Sequence, residues 1–301
     1  MPDSVLFFFE VLVGGLLSGT MYSLVALGFV LIYKASAVFN FAQGAMVFFA
    51  VLSFVGFMEL GLNFWLALPV TIVLMICVGI VTERLVLRPL VGQSEDTLLM
   101  ATIGLAFVFE GVAQLAWGVN VRGLDLGIAD QPIDWLANNA DILVSQLDLA
   151  AGLVAGIMVI VLSLIFSKTK VGRGLRAVAD DNAAALSIGI PLRQILVVVW
   201  ATAGVVALVA GMMWGARSGV QFALVGVALK AMPVLIIGGF TSVPGVIVGG
   251  LIVGVAEKMA EVYVGPFVGG GIEGWLPYVL AVFFLLVRPE GLFGEKIIRR
   301  V

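Results

Sequence analysis

Apolar residues run along this chain in long blocks separated by shorter polar breaks. A helix rises 1.5 Å per residue, so about twenty apolar residues cross the hydrocarbon core of a bilayer. Nine blocks approach that length, near residues 5–33, 41–58, 64–83, 98–117, 149–167, 194–215, 224–240, 243–264 and 275–288. The first is long enough to tilt, or to break at Gly14-Gly15 or Ser18-Gly19, and the seventh and ninth are short. The pattern predicts an all-α polytopic membrane protein with about 8–9 transmembrane helices, in one transmembrane domain over 1–301. Two polar stretches stand out: a basic loop at about 168–193 and an acidic one at about 118–148.

Composition agrees with the blocks. Hydrophobic residues make up 62% of the 301 residues and charged ones 12%, and the mean hydropathy is +1.19. These values exclude a soluble globular domain. A net charge of −3, with no basic patch carrying interleaved aromatics, sets nucleic acid aside. Cys77 is the single cysteine and there is no histidine. That removes an intramolecular disulfide, a cysteine metal cluster and the commonest general base. The first ten residues hold Asp3 and Glu10 but no Lys or Arg, unlike a cleavable signal peptide, so the first block is expected to stay in the mature chain.

The cations give an orientation. With the N-terminus outside and the blocks alternating, twelve of the 16 Lys and Arg fall on the inner side: Lys34, Arg84, Arg88, Lys168, Lys170, Arg173, Arg176, Arg193, Arg288, Lys296, Arg299 and Arg300. Arg122 and Arg217 fall outside, and Lys230 and Lys258 within blocks. Positive charge is retained on the cytoplasmic side, so the reading is N-terminus outside, C-terminus cytoplasmic. The outer stretch 118–148 sets five Asp against Arg122, with Trp117 and Trp135 near its ends. It reads as a solvated loop with interfacial aromatics, or as a contact for an external protein.

The basic loop is longer than a connection between spans requires. Residues 168–176 form a cationic lead. Asp180, Asp181 and Asn182 are capping residues, Ala183, Ala184, Ala185 and Leu186 favour helix, Gly189 is a stop, and Pro191 suits the first turn of the next span. The loop is therefore expected to hold a short helix near 182–188. Its apolar positions Ala184, Leu186, Ile188 and Ile190 suit a groove on a cytosolic partner, with Arg173 and Arg176 as rim charges. An ordinary positive-inside loop explains the cations but not a capped apolar helix.

Glycine recurs at four-residue spacing, at Gly15/Gly19, Gly152/Gly156, Gly211/Gly215, Gly245/Gly249 and Gly250/Gly254. In lipid such spacings mark helix-packing faces. Ionisable residues inside spans need partners. Lys230 and Glu257 lie at matching depths in neighbouring blocks, so an intramembrane pair of Lys230 with Glu257 or Glu261 is expected, structural or in a path. Gly269 to Gly274 spells G-x-G-x-x-G, but in a loop before a span rather than between strand and helix. No P-loop motif occurs, so energy for any transport comes from another subunit or an ion gradient.

Four motifs occur together: N-F-A-x-G at 40–44, G-R-x-x-R-A-V-A at 172–179, G-G-x-x-S-x-P-G at 238–245 and R-P-x-G-L-F-G at 288–294. In these, and over nearly its whole length, the chain resembles the permease subunit of branched-chain amino-acid ABC importers. The resemblance implies a multi-pass protein of the bacterial cytoplasmic (inner) membrane that is not itself an enzyme and holds no cofactor. It implies a second homologous permease, two cytosolic ATPases that bind ATP and Mg, an extracytoplasmic solute-binding protein and surrounding membrane lipid as partners. By the same resemblance, the segment with Arg173, Arg176, Ala183, Ala184, Leu186, Ile188 and Gly189 touches an ATPase. Asn40, Gln43, Gly44, Ser242 and Pro244 are candidates for the translocation path. Gln43 stands where N-F-A-H-G is expected, which leaves open amides, urea or aromatic and carboxylate solutes. An ion-coupled secondary transporter is the competing reading.

Overall fold

The structure, a computed structural model, describes residues 2–36, 38–90, 92–134, 137, 143–180, 185, 187, 189 and 192–294. Among them, every one of the nine apolar blocks is helical. The helices are α1 (Pro2–Ser36), α2 (Gln43–Glu59), α3 (Phe64–Thr82), α4 (Glu95–Trp117), α5 (Gln146–Lys168), α6 (Lys170–Asp180), α7 (Leu192–Ser218), α8 (Val227–Gly238), α9 (Val243–Tyr263) and α10 (Leu276–Val287). A π-helical turn, Glu83–Leu87, extends α3, and a 3-10 turn, Phe222–Gly226, leads into α8. Among the described residues, six helices are long and apolar enough to cross a membrane, while Gln43–Glu59, Phe222–Gly238 and Leu276–Val287 are shorter. The protein is a multi-pass membrane protein.

Local chemistry sets the helix ends. Asn63 Oδ1 accepts from Leu66 N at 2.9 Å to open α3, and Ser242 Oγ accepts from Gly245 N at 3.0 Å to open α9, with Pro244 in the first turn. Ser94 caps α4 in the same way. Against the expectation of a possible break, α1 is one unbroken helix of 35 residues. Gly15 and Gly19 are where another backbone comes close, while Gly14 has open space and Gly28 meets the Gln43 side chain.

The chain forms two compact units. The first holds Met1–Ala26, Asp125–Val159 and Lys230–Val301. Here α1 lies against α9 with almost no side chain between them. A Cβ on Gly15 would meet Val255 Cα at 2.8 Å, and one on Gly19 would meet Leu251 Cα at 2.9 Å. Gly250 and Gly254 face the same contact from the α9 side. Ser23 Oγ donates to the Gly19 carbonyl at 2.8 Å and reaches the Val246 carbonyl at 3.1 Å. Gly249 packs on the Val234 carbonyl, closing the α8–α9 hairpin. Such approaches supply the dispersion contacts that lipid cannot. Gly156 has nothing near its missing side chain, so the Gly152/Gly156 spacing is only half a packing face.

The turn after α8 also receives the chain's last described segment. Leu292 N donates to the Ile237 carbonyl at 2.7 Å and Phe293 N to the Gly238 carbonyl at 3.2 Å. Gly239, at φ +102°, and Gly291, at φ +79°, are left-handed, and a Cβ on Gly291 would lie 2.7 Å from Gly239 N. The G-G-x-x-S-x-P-G and R-P-x-G-L-F-G motifs therefore interlock backbone to backbone.

The second unit holds Leu27–Leu124 and Ile160–Leu229. Its centre is α2, buried on every side from Gln43 to Gly56. It packs against α3, α4 and α7, and α3 packs against α7. Gly204 sits on the Met75 carbonyl and Gly211 on the Val47 carbonyl. At one end, Arg122 exchanges backbone hydrogen bonds with Val220 at 3.0 and 2.8 Å, while its guanidinium holds the Glu59 carboxylate and the Trp117 carbonyl. One arginine thus ties together the ends of α2, α4 and α7.

Candidate functional site

In the first unit, α1, α8 and α9 converge on one carboxylate. Glu257 is 3% exposed; its Oε1 accepts from the Tyr22 hydroxyl at 3.0 Å and lies 3.5 Å from Lys230 Nζ. Its Oε2 has no hydrogen-bond partner. Lys230 keeps 30% of its side chain exposed. A buried carboxylate persists only with compensation, and here two groups supply it unequally. Glu261 does not join: it accepts from Gly271 N at 2.9 Å and Glu273 N at 3.0 Å, fastening the turn before α10 to α9. Lys258 pairs with Glu273 at 3.3 Å. Of the two partners expected for Lys230, the structure selects Glu257. Tyr22 was not legible, because a tyrosine inside an apolar block carries no sign of which way its hydroxyl points.

In the second unit, the N-F-A-x-G segment is a buried polar knot. Asn40 and Gln43 are 1% and 0% exposed. Asn40 Nδ2 donates to Gln43 Oε1 at 3.3 Å, and Asn40 Oδ1 accepts from Ala42 N at 3.1 Å. Thr102 Oγ1, on α4, donates to the Phe39 carbonyl and accepts from Phe41 N. Gln43 Nε2 has no partner and presses on Gly28, where a Cβ would collide with it. Gly44 seats α2 on the Val225 carbonyl and Ala228. Ser242 and Pro244 belong to the first unit, where Ser242 is engaged as the α9 cap and Pro244 is exposed.

The G-R-x-x-R motif makes a corner between α5 and α6. Arg176 donates to the carbonyls of Phe166 at 2.7 Å and Ser167 at 3.2 Å, and Arg173 to the Lys168 carbonyl at 3.3 Å. Gly172 lies directly on the Phe166 carbonyl. The last turn of a helix leaves carbonyls unbonded and carries partial negative charge, so two guanidinium groups and a glycine suit this place. The expected cationic lead is therefore a helix, α6, whose Leu175 and Val178 are buried. Ala183, Ala184, Leu186 and Ile188 lie outside the described residues. Ala185 is buried, Ser187 exposed, and Gly189 has φ +81°, the left-handed conformation suited to a helix stop.

One further charged pair went unanticipated. Arg88 grips Glu83 with two bonds, Nε to Oε1 at 3.2 Å and Nη2 to Oε2 at 2.8 Å. Glu83 is 1% exposed and borders a cavity of about 110 Å³ with Ser36, Leu98, Leu192 and Trp200. The two residues are five apart, a spacing that an α-helix splays and the π-helical turn brings onto one face. A helical reading by fours passes over such a pair.

A family model described as "Branched-chain amino acid transport system / permease component" matches residues 11–287. The chain belongs to that family. The branched-chain permeases it resembles include the high-affinity branched-chain amino acid transport system permease protein BraD of Pseudomonas aeruginosa, 25% identical over the full length of both chains. A probable branched-chain amino acid transport permease protein LivH of Methanocaldococcus jannaschii is 26% identical over 94% of this chain and 92% of its own. Among solved structures, PsaBC from Streptococcus pneumoniae in complex with Fab aligns with 91% of this branched-chain permease-family chain and 89% of its own, at 15% identity and a TM-score of 0.47.

Proposed function

We propose that this chain is the transmembrane permease subunit of an ATP-driven ABC importer for branched-chain amino acids or related small polar solutes. It lies in the bacterial cytoplasmic membrane with eight or nine spans, N-terminus outside and C-terminus cytoplasmic. It pairs with a second homologous permease, two cytosolic ATPases that bind ATP and Mg, and an extracytoplasmic binding protein. The family match over residues 11–287 carries this reading.

The α5–α6 corner supports a route for the work of ATP. Because Arg173, Arg176 and Gly172 bind α6 to the last carbonyls of α5, a push on α6 turns the span with it. The ATPases bear on residues 172–190, with Leu186 and Ile188 as the apolar contacts. The pair of permeases then alternates between outward-open and inward-open packings, a two-state change biased by nucleotide. Asn40, Gln43, Gly44, Ser242 and Pro244 remain the candidates for the path.

The Lys230–Glu257 pair favours one competing reading, an ion-coupled carrier, since intramembrane carboxylates serve that chemistry. Co-expression with the proposed ATPases and binding protein, reconstitution into proteoliposomes and uptake of labelled leucine separate the two. ATP-dependent uptake that needs the binding protein is expected. Uptake driven by a proton or sodium gradient without ATP overturns the importer reading.

A further inference from the structure

In the second unit, a cavity of about 550 Å³ opens between α6 and the first turns of α7. Lys170, Arg173 and Gln194 are its polar lining residues, and Ala177, Ile195 and Val198 are among the others. No carboxylate is among the described lining residues. Lys170 is exposed, and Arg173 gives the Lys168 carbonyl one of its five N–H groups.

The cavity's depth identifies its occupant. Span α5 ends at Lys168 and α7 begins at Leu192, so both cations sit at the membrane boundary. Ile195 opens the apolar run of α7, and Val198 lies about 6 Å along the axis from Gln194. The cavity thus has cations next to the end of α5, at headgroup level, and Ile195 and Val198 within the apolar run of α7. A cytosolic polypeptide filling it would carry unbonded backbone groups into lipid. A phosphodiester with an acyl chain meets both the cations and the apolar residues.

We propose that this groove is a binding site for one anionic phospholipid, its phosphate held by Lys170 and Arg173 and its acyl chain laid over Ala177, Ile195 and Val198. The proposal rests on the multi-pass membrane reading alone and not on transport.

The test is lipid retention. The full complex is reconstituted in nanodiscs of phosphatidylcholine with a minor share of phosphatidylglycerol, and co-purifying lipid is counted by native mass spectrometry. The wild type retains phosphatidylglycerol preferentially. Lys170→Gln lowers that preference about fivefold and Lys170→Gln with Arg173→Gln about thirtyfold, following the usual electrostatic gain per cation near a membrane surface. Ala177→Trp fills the groove and removes the retained lipid. Lys170→Glu, at an exposed position with no packing role, gives a second reading should the tryptophan variant fail to fold, and abolishes the preference. Equal retention of phosphatidylglycerol by the wild type and the double variant overturns the proposal. So does a photo-crosslinker at Val198 that labels an ATPase subunit instead of lipid.

Discussion

Among the single residues, Glu257 has the most to lose. It is buried and keeps one oxygen unpaired, whereas Lys230 retains access to its surroundings. Their removal is therefore unequal. Lys230→Met strands the carboxylate and is expected to cost about 3 kcal/mol, while Glu257→Gln, which leaves an amide beside Tyr22, costs less. Lys230→Met with Glu257→Gln should destabilise less than the two single changes summed, as read by thermal unfolding in detergent. A double variant with no recovery removes the pair from the energetics. Gln43 poses the converse problem, with a donor that finds no partner against Gly28. Gly28→Ala forces a buried amide to move and is expected to lower the melting temperature, while Gly14→Ala, with open space around it, does not.

At the scale of elements, the same contrast tests the glycine faces. Gly19→Ala and Gly254→Ala push α1 and α9 apart where backbones touch, so both should weaken the folded state. Gly156→Ala meets nothing and should be neutral or stabilising by about 0.5–1 kcal/mol, the helix preference of alanine over glycine. Gly→Ala at all three positions with equal loss would contradict these close approaches. The α5–α6 corner gives a second test. Arg176→Gln frees the Phe166 and Ser167 carbonyls, so the complex is expected to hydrolyse ATP with less solute moved per ATP, with Arg176→Lys rescuing only in part because it lacks the planar fork. Leu186→Asp is expected to uncouple the ATPase more fully. An active, fully coupled Leu186→Asp complex would displace the contact from that residue.

The apolar blocks were legible because a run of twenty such residues has few alternatives to a spanning helix, and each block became a helix. What escaped was local geometry. Helix α6 hides its buried Leu175 and Val178 among two glycines and three cations, so its charge masks a helical spacing. The Glu83–Arg88 pair depends on a π turn that no pattern of fours announces. Lys230 and Glu257 were visible as a pair because matched depth is a one-dimensional quantity, while the choice of Glu257 over Glu261 needed the rotation of α9.

At the scale of the whole molecule, orientation is the property to measure. With Cys77 replaced, single cysteines at Gly127 and at Glu290 should react oppositely with a membrane-impermeant thiol reagent added to intact cells: residue 127 labels and residue 290 does not. Labelling of both before permeabilisation overturns the N-out, C-in topology.

The seam between Ile237–Gly238 and Leu292–Phe293 also orders events during synthesis. Two carbonyls at the end of α8 wait for amides that the ribosome adds some 55 residues later, counting from Ile237 to Leu292. A chain that stops short of Leu292 is therefore expected to leave both carbonyls of this turn without these partners.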